Sequence, residues 1–383
     1  MRTFILLIAL MSSFSMIAQS GNFTVSGKIK GLDSEYLSMY IYDESFAKGS
    51  RKDSIPVAQE SFSFTASLPR TAMVVIYPNV ERTVKRVGKS GYYPAKSSQF
   101  MFIASPESKI HFTGEISDFV HAYPAGDSTN ADLAALNRAV YPLMNKSVNL
   151  EAKIANKLVS DTLLIKAMKD TSAQCDEAVV AIKKKFLAEN PNSVATAWLL
   201  SDMMIRSQVS NDEAEVFFGK MHPKLASVQY YPEVAKRMEG IKKTKIGSPV
   251  PEINSLNTYD GKTFVLSSLK GKYVVLDFWG TWCGPCIAGM PRMKEYLDKY
   301  PGKLEIVGVA QESDSGERWK KFIDNSEYKW HHVLSKKNEN YVLAFNVAGF
   351  PTKIIVDPQG IIIGRFVGED DEIYHKLDEL LKM

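Results

Sequence analysis

The sequence predicts a multidomain chain: an all-β, sandwich-like N-terminal region, an all-α middle region and a C-terminal α/β region. Three observations predict it. Apolar residues alternate with polar ones in the first third, recur at helical spacing in the second, and in the last third apolar strand runs alternate with helix patterns. A length of 383 residues suits two or three domains, with expected segments at 1–18, 19–124, 125–244 and 245–383. Hydrophobic residues make up 45% and charged residues 23%, which excludes a disordered, collagenous or polytopic chain. The net charge of +4, from 47 basic and 43 acidic residues, is too balanced for a nucleic-acid binder, and Lys183-Lys184-Lys185 reads as a solvated helix face.

Residues 1–18 read as an address. Arg2 precedes the apolar run Phe4 to Met11, and a small, polar stretch ends at Ala18, where cleavage is expected; this is the pattern of a secretory signal peptide. The alternative is an uncleaved anchor that associates the chain with a membrane, but the run is shorter than the roughly 20 residues a spanning helix needs. The expectation is an exported protein, soluble in the periplasm or cell envelope once the leader is removed.

Strands follow where period two holds: Phe23, Val25, Gly27 and Ile29; Leu37, Met39 and Ile41; Phe62, Phe64, Ala66 and Leu68. Met73 to Tyr77, Phe100 to Ile103 and Ile110 to Phe112 continue the series, with turns expected at Gly49-Ser50-Arg51 and Ser105-Pro106. After the capping loop 125–130, Leu133, Leu136, Val140 and Leu143 share a helix face. Helical patterning continues over 150–190, 194–205, 212–221 and 232–242. The third region opens with a short strand over 261–266. Tyr273 to Trp279 then has the nearly unbroken apolar texture of a strand buried on both faces. A helix over 285–300, a strand over 304–309, helices near 316–325 and 338–345, an antiparallel pair around Asp357-Pro358-Gln359-Gly360 and a last helix over 369–381 complete it.

The chemistry concentrates in Trp282-Cys283-Gly284-Pro285-Cys286. Only 3 cysteines occur, so this is no disulfide-stapled scaffold, and Cys175 reads as a buried small hydrophobe. Two thiols three positions apart at a helix start can close a small ring. Cys283 sits where free N–H groups and the helix dipole favour a thiolate, lowering its pKa from about 8.5 toward ~7. Cys286, one turn inward, stays protonated until it resolves a mixed disulfide. Pro285 costs no intrahelical bond in the first turn. Asp277, six residues upstream in an apolar strand, would lie beneath the dithiol and accept the Cys286 proton through water; the alternative is an Asp at the exposed strand end. In Gly349-Phe350-Pro351-Thr352, Pro351 is a candidate cis proline. Beside the dithiol this turn would offer the Phe350 backbone to an incoming peptide by strand addition.

Phe278 to Cys286, with Asp277 before it, Pro291 after it and Gly349-Phe350-Pro351-Thr352 later, resembles the thioredoxin superfamily. Gly247-Ser248-Pro249-Val250-Pro251, Gly261-Lys262 and Leu269-Lys270-Gly271-Lys272 resemble more narrowly its exported TlpA/ResA/DsbE branch. The resemblance implies a thioredoxin-like fold over 245–383, with a central mixed sheet flanked by helices. It implies Cys283 as nucleophile, Cys286 as resolving thiol, Asp277 as proton acceptor, and Trp282, Phe350 and cis Pro351 facing substrate. The Gly-Pro pair between the cysteines is that of reducing members, which points to a reductase or isomerase of client disulfides recharged by an inner-membrane thiol donor. Roles in the branch include apocytochrome c reduction and general disulfide repair.

Neither a cofactor nor a metal is expected: there is no second C-x-x-C, and His331 and His332 point to opposite strand faces. A peroxidase frame would need Pro and Thr or Ser where Leu276 and Gly280 stand. The competing non-enzymatic reading is an envelope binding or scaffolding protein whose β-domain captures a partner, the dithiol being only a redox switch.

Overall fold

The computed structural model describes residues 21–43, 46, 50–313, 315–336 and 338–382; the expected leader, residues 1–18, lies outside them. The first part comprises β1 (Gly21–Lys30), β2 (Tyr36–Tyr42), β3 (Ser50–Pro56), β4 (Ser61–Leu68), β5 (Ala72–Tyr77), β6 (Lys85–Val87), β7 (Gly91–Tyr93), β8 (Phe100–Ala104), β9 (Lys109–Ile116) and β10 (Val120–Ala125). Two sheets form, β10-β9-β1-β4 and β3-β2-β5-β8, beside the β6–β7 hairpin. Alternation puts Phe23, Val25, Leu37, Met39, Phe100, Phe102 and Phe112 into the core between the sheets. β5 and β8 are apolar on both sides for a further reason. Their other face, carrying Met73, Val75, Met101 and Ile103, is buried under helices.

Those helices are α1 (Ser128–Ala155), α2 (Thr162–Glu189), α3 (Val194–Ile205), α4 (Asn211–Lys220) and α5 (Tyr230–Lys243). Asn130, in the first turn of α1, treats the free edge of β8 as a strand would. Its Oδ1 accepts from the Ile103 N–H at 3.0 Å and its Nδ2 donates to the Ile103 carbonyl at 2.8 Å. Patterning over 150–190 predicts uninterrupted helix, but the chain breaks between α1 and α2. Asn156 leaves the helix to bond the β6–β7 hairpin, accepting from Gly88 N–H at 2.9 Å and donating to the Arg86 carbonyl at 2.8 Å. Lys157 turns left-handed (φ 55°), and the Asp161 side chain caps α2. The turn expected at Gly49-Ser50-Arg51 is corrected too: Ser50 and Arg51 begin β3, a polar edge strand that buries only Ile55 and so lacks an apolar alternation.

The last part contains β11 (Asn254–Ser255), β12 (Phe264–Val265), β13 (Tyr273–Trp279), α6 (Gly284–Lys299), β14 (Leu304–Gln311), α7 (Glu317–Asp324), β15 (His331–Ser335), α8 (Tyr341–Ala344), β16 (Thr352–Val356), β17 (Ile362–Val367) and α9 (Glu372–Leu381). The sheet order is β15-β14-β13-β16-β17, parallel from β15 to β13 and antiparallel from β13 to β17. β13 is central and covered on both faces, which accounts for its apolar texture. Cores lie on each side, one under α6, α7 and α9, the other under α8 and the Leu266–Leu269 turn. The strand expected over 261–266 shrinks to the Phe264–Val265 pair because Gly261 turns at φ 73°. Gly240 lets α5 approach α8: a Cβ there would meet the Ala344 carbonyl at 2.7 Å.

On β15, His331 is exposed while His332 is buried among Trp279, Trp319 and Trp330. Burial, opposed only by a 2.8 Å bond from its Nε2 to the Tyr328 carbonyl, depresses the His332 pKa to about 4. The unfolded chain therefore takes up a proton near pH 6.5 that the folded chain refuses until about pH 4. Stability contributed by neutral His332 falls as pH drops through that window, by about 3 kcal/mol in full. Denaturant unfolding from pH 7 to 4 should show a shallower loss in His332→Phe than in the parent.

Candidate active site

The site grows from the end of β13. Register pairs Phe278 with Thr352 of β16, bringing the turn before β16 alongside the loop after Trp279. In that loop Gly280 accepts from the Cys283 N–H at 3.0 Å. Thr281 donates through its N–H and hydroxyl to the Glu312 carboxylate, at 2.7 and 2.9 Å. Trp282 Nε1 donates to the Gln311 carbonyl at 2.9 Å, leaving the indole 52% exposed. Three bonds thus fix the residues just before the dithiol to the end of β14.

Cys283 is the N-cap of α6, and Cys286 lies in the first turn beside Pro285. The two sulfurs are joined in a disulfide. The Cys286 backbone N–H donates to Cys283 Sγ at 3.2 Å, as the positive helix end would to a thiolate. Both residues are buried, Cys283 at 5% exposure and Cys286 at 1%.

Phe350 and Pro351 are joined by a cis peptide, as expected from Gly349-Phe350-Pro351-Thr352. The Phe350 ring meets Trp282 edge-on at 5.1 Å and packs against the cluster that contains both cysteines. Trp282 and Phe350 therefore meet beside the dithiol loop, and Pro351, next in the chain, is buried. A cleft lined by Tyr77, Trp198 and Tyr230 from the first two parts and by Leu343 and Gln311 from the last opens beside that Trp282 anchor.

Asp277 is 1% exposed, on the face of β13 shared with Val275 and Trp279, so the exposed strand-end alternative does not hold. Its register partner is Lys353, also 1% exposed, with Nζ 3.6 Å from Asp277 Oδ1. The same ammonium lies 2.5 Å from Glu369 Oε2, and Tyr374 donates its hydroxyl to Glu369 Oε1 at 3.0 Å. Burial raises the Asp277 pKa; the Lys353 charge pulls it back and the Glu369 charge raises it further. Sequence reasoning missed Lys353 and Glu369. The signal lies in Thr352 to Val356, where a lysine interrupts an apolar strand as Asp277 interrupts another; Glu369, expected in the last helix, instead precedes a helix that begins at Glu372. Cys175 is buried in α2.

A cysteine pair capping a helix after the central strand of such a sheet, with a cis proline just before the neighbouring strand, defines a thioredoxin-like redox protein. Residues 246–365 match the AhpC/TSA family, and residues 23–133 match a domain of unknown function, DUF4369. The thioredoxin-like protein YneN of Bacillus subtilis is 34% identical over 152 residues, covering 39% of this chain and 86% of that protein. The thiol-disulfide oxidoreductase ResA of Bacillus thuringiensis is 34% identical over 142 residues (37% and 79%), and the thiol:disulfide interchange protein DsbE of Haemophilus influenzae 29% over 155 (37% and 82%). The chain belongs to this family of thioredoxin-like thiol-disulfide oxidoreductases. It is an enzyme of disulfide-containing substrates, which removes the purely non-enzymatic reading.

In the reduced enzyme, the first-turn N–H groups of α6 should hold the Cys283 thiol below the ordinary cysteine range. Thiolate absorbance of the reduced Cys286→Ser variant, followed against pH, measures it directly.

Proposed function

We propose that the protein is an exported reductase of protein disulfides, with Cys283 as nucleophile, Cys286 as resolving thiol and Asp277 as the acceptor of the Cys286 proton. The observation that carries this reading is the Cys283–Cys286 bond at the start of α6, with a buried carboxylate on the sheet face that α6 covers. The Cys283 thiolate attacks one sulfur of a client disulfide. A mixed disulfide forms, and the first client sulfur leaves as a thiolate and takes a proton from water. Cys286 then passes its proton to the Asp277 carboxylate, and its thiolate attacks Cys283 Sγ. The second client sulfur departs, the Cys283–Cys286 bond closes, and two electrons have moved to the client.

Trp282, Phe350 and Pro351 are the proposed client-facing surface: an exposed indole and a half-buried ring beside an edge of backbone suit an extended peptide. The leader pattern over residues 1–18 supports export to the periplasm or cell envelope, where an inner-membrane thiol donor would return the oxidised enzyme to the dithiol. The Gly284-Pro285 pair favours reduction over oxidation, with isomerisation the second activity of the same dithiol.

Cys283→Ser should abolish insulin-disulfide reduction, while Cys286→Ala should stop turnover and accumulate clients bound to Cys283. Recovery of mixed disulfides from the envelope fraction checks both; full activity in Cys283→Ser, or no adducts on Cys286→Ala, overturns the reading.

A further inference from the structure

Beneath α6 two carboxylates share one ammonium. Asp277 of β13 and Lys353 of β16 are register partners with almost no exposure, while Glu369 enters from the turn between β17 and α9 with its side chain 22% exposed. The ammonium belongs geometrically to Glu369, at 2.5 Å, since 3.6 Å to Asp277 is an ion-pair distance but too long for a hydrogen bond. The fold makes room for this third charge. Gly289, three residues after Cys286, leaves a space in which a Cβ would overlap the Glu369 carboxylate. The Tyr374 hydroxyl holds the other carboxylate oxygen. Arg292 of α6 lies at a remove, stacked on the Tyr374 ring at 3.8 Å and paired with Asp371.

Charge counting gives this arrangement a consequence. With Lys353 alone beside it, an ionised Asp277 would complete a neutral buried pair and would be held as the anion. With Glu369 present, Lys353 is already matched, and the neutral cluster is the one in which Asp277 carries a proton. We propose that Glu369 is a positioning residue for the resolving step: by engaging the Lys353 ammonium it leaves Asp277 free to receive and release the Cys286 proton. This rests on the reading of Asp277 as proton acceptor and names the residue that equips it for that task.

The test is Glu369→Gln in the full chain, which keeps the side chain's shape and removes its charge. Two readouts apply: carbon NMR titration of the Asp277 carboxyl in the oxidised protein, and the pH profile of single-turnover insulin reduction. Both should move to lower pH by about one unit, because Lys353 then stabilises the Asp277 anion. In the Lys353→Met/Glu369→Gln double variant, which removes both flanking charges, Asp277 should titrate above its position in Glu369→Gln. In an Asp277→Asn background the Glu369→Gln change should leave the pH profile unmoved. Asp277 titrating alike in Glu369→Gln and the parent, or a profile shift that persists without Asp277, overturns the proposal. An unchanged profile in Asp277→Asn alone overturns the role of Asp277 itself, so the two failures are separable.

Discussion

A charge buried under a helix that also carries the Cys283–Cys286 pair is the constraint around which the last third of this chain is organised. An isolated carboxylate in the middle of a central strand is costly by several kcal/mol unless partners follow it out of water. Asp277 is followed by Lys353 on the adjacent strand, and Lys353 by Glu369 from the turn after β17. Each partner imposes a further demand. Lys353 needs the β13–β16 register that also sets Thr352 beside Phe278, and Glu369 needs a glycine at 289 on α6. The network therefore ties together the strand before the dithiol, the helix after it and the strand that follows the cis proline.

The dithiol draws on a second asymmetry. Cys283, at the cap, receives an N–H from within the first turn, whereas Cys286 is turned inward and almost sealed from solvent. One helix end thus treats two chemically identical side chains differently. Three hydrogen bonds to Gln311 and Glu312 fix the loop before Cys283 while Trp282 meets solvent.

Much of this is legible in the sequence, for reasons that differ by element. β1 and β2 alternate because each has one wet face, and β13 reads as continuous because it has none. Cys283, Cys286 and Pro351 are visible because their chemistry or backbone demand is local. What escapes is whatever depends on distant partners. β3 is a strand only because β2 offers it an edge, and Asn156 ends α1 only because the β6–β7 hairpin needs its amide. Glu369 looks like the start of an exposed helix, since nothing near it in the chain announces the lysine sixteen positions earlier. The same applies to Lys353, whose charge makes sense only once β13 lies beside it.

The two N-terminal parts bear on the enzyme through packing. The outer face of β5 and β8 is covered by helices rather than water, so the two parts share one core through Met73, Val75, Met101 and Ile103. α5 then continues that assembly onto α8, where Gly240 permits backbone contact, and Arg237 approaches the Val347 carbonyl at 3.5 Å. α8 and Val347 lie just before Gly349-Phe350-Pro351 in the chain. The position of the β and helical parts is thereby coupled, through one close helix contact, to the segment that forms the flank of the dithiol. The β and helical parts thus pack, through α5, against the segment that leads into Phe350 and Pro351.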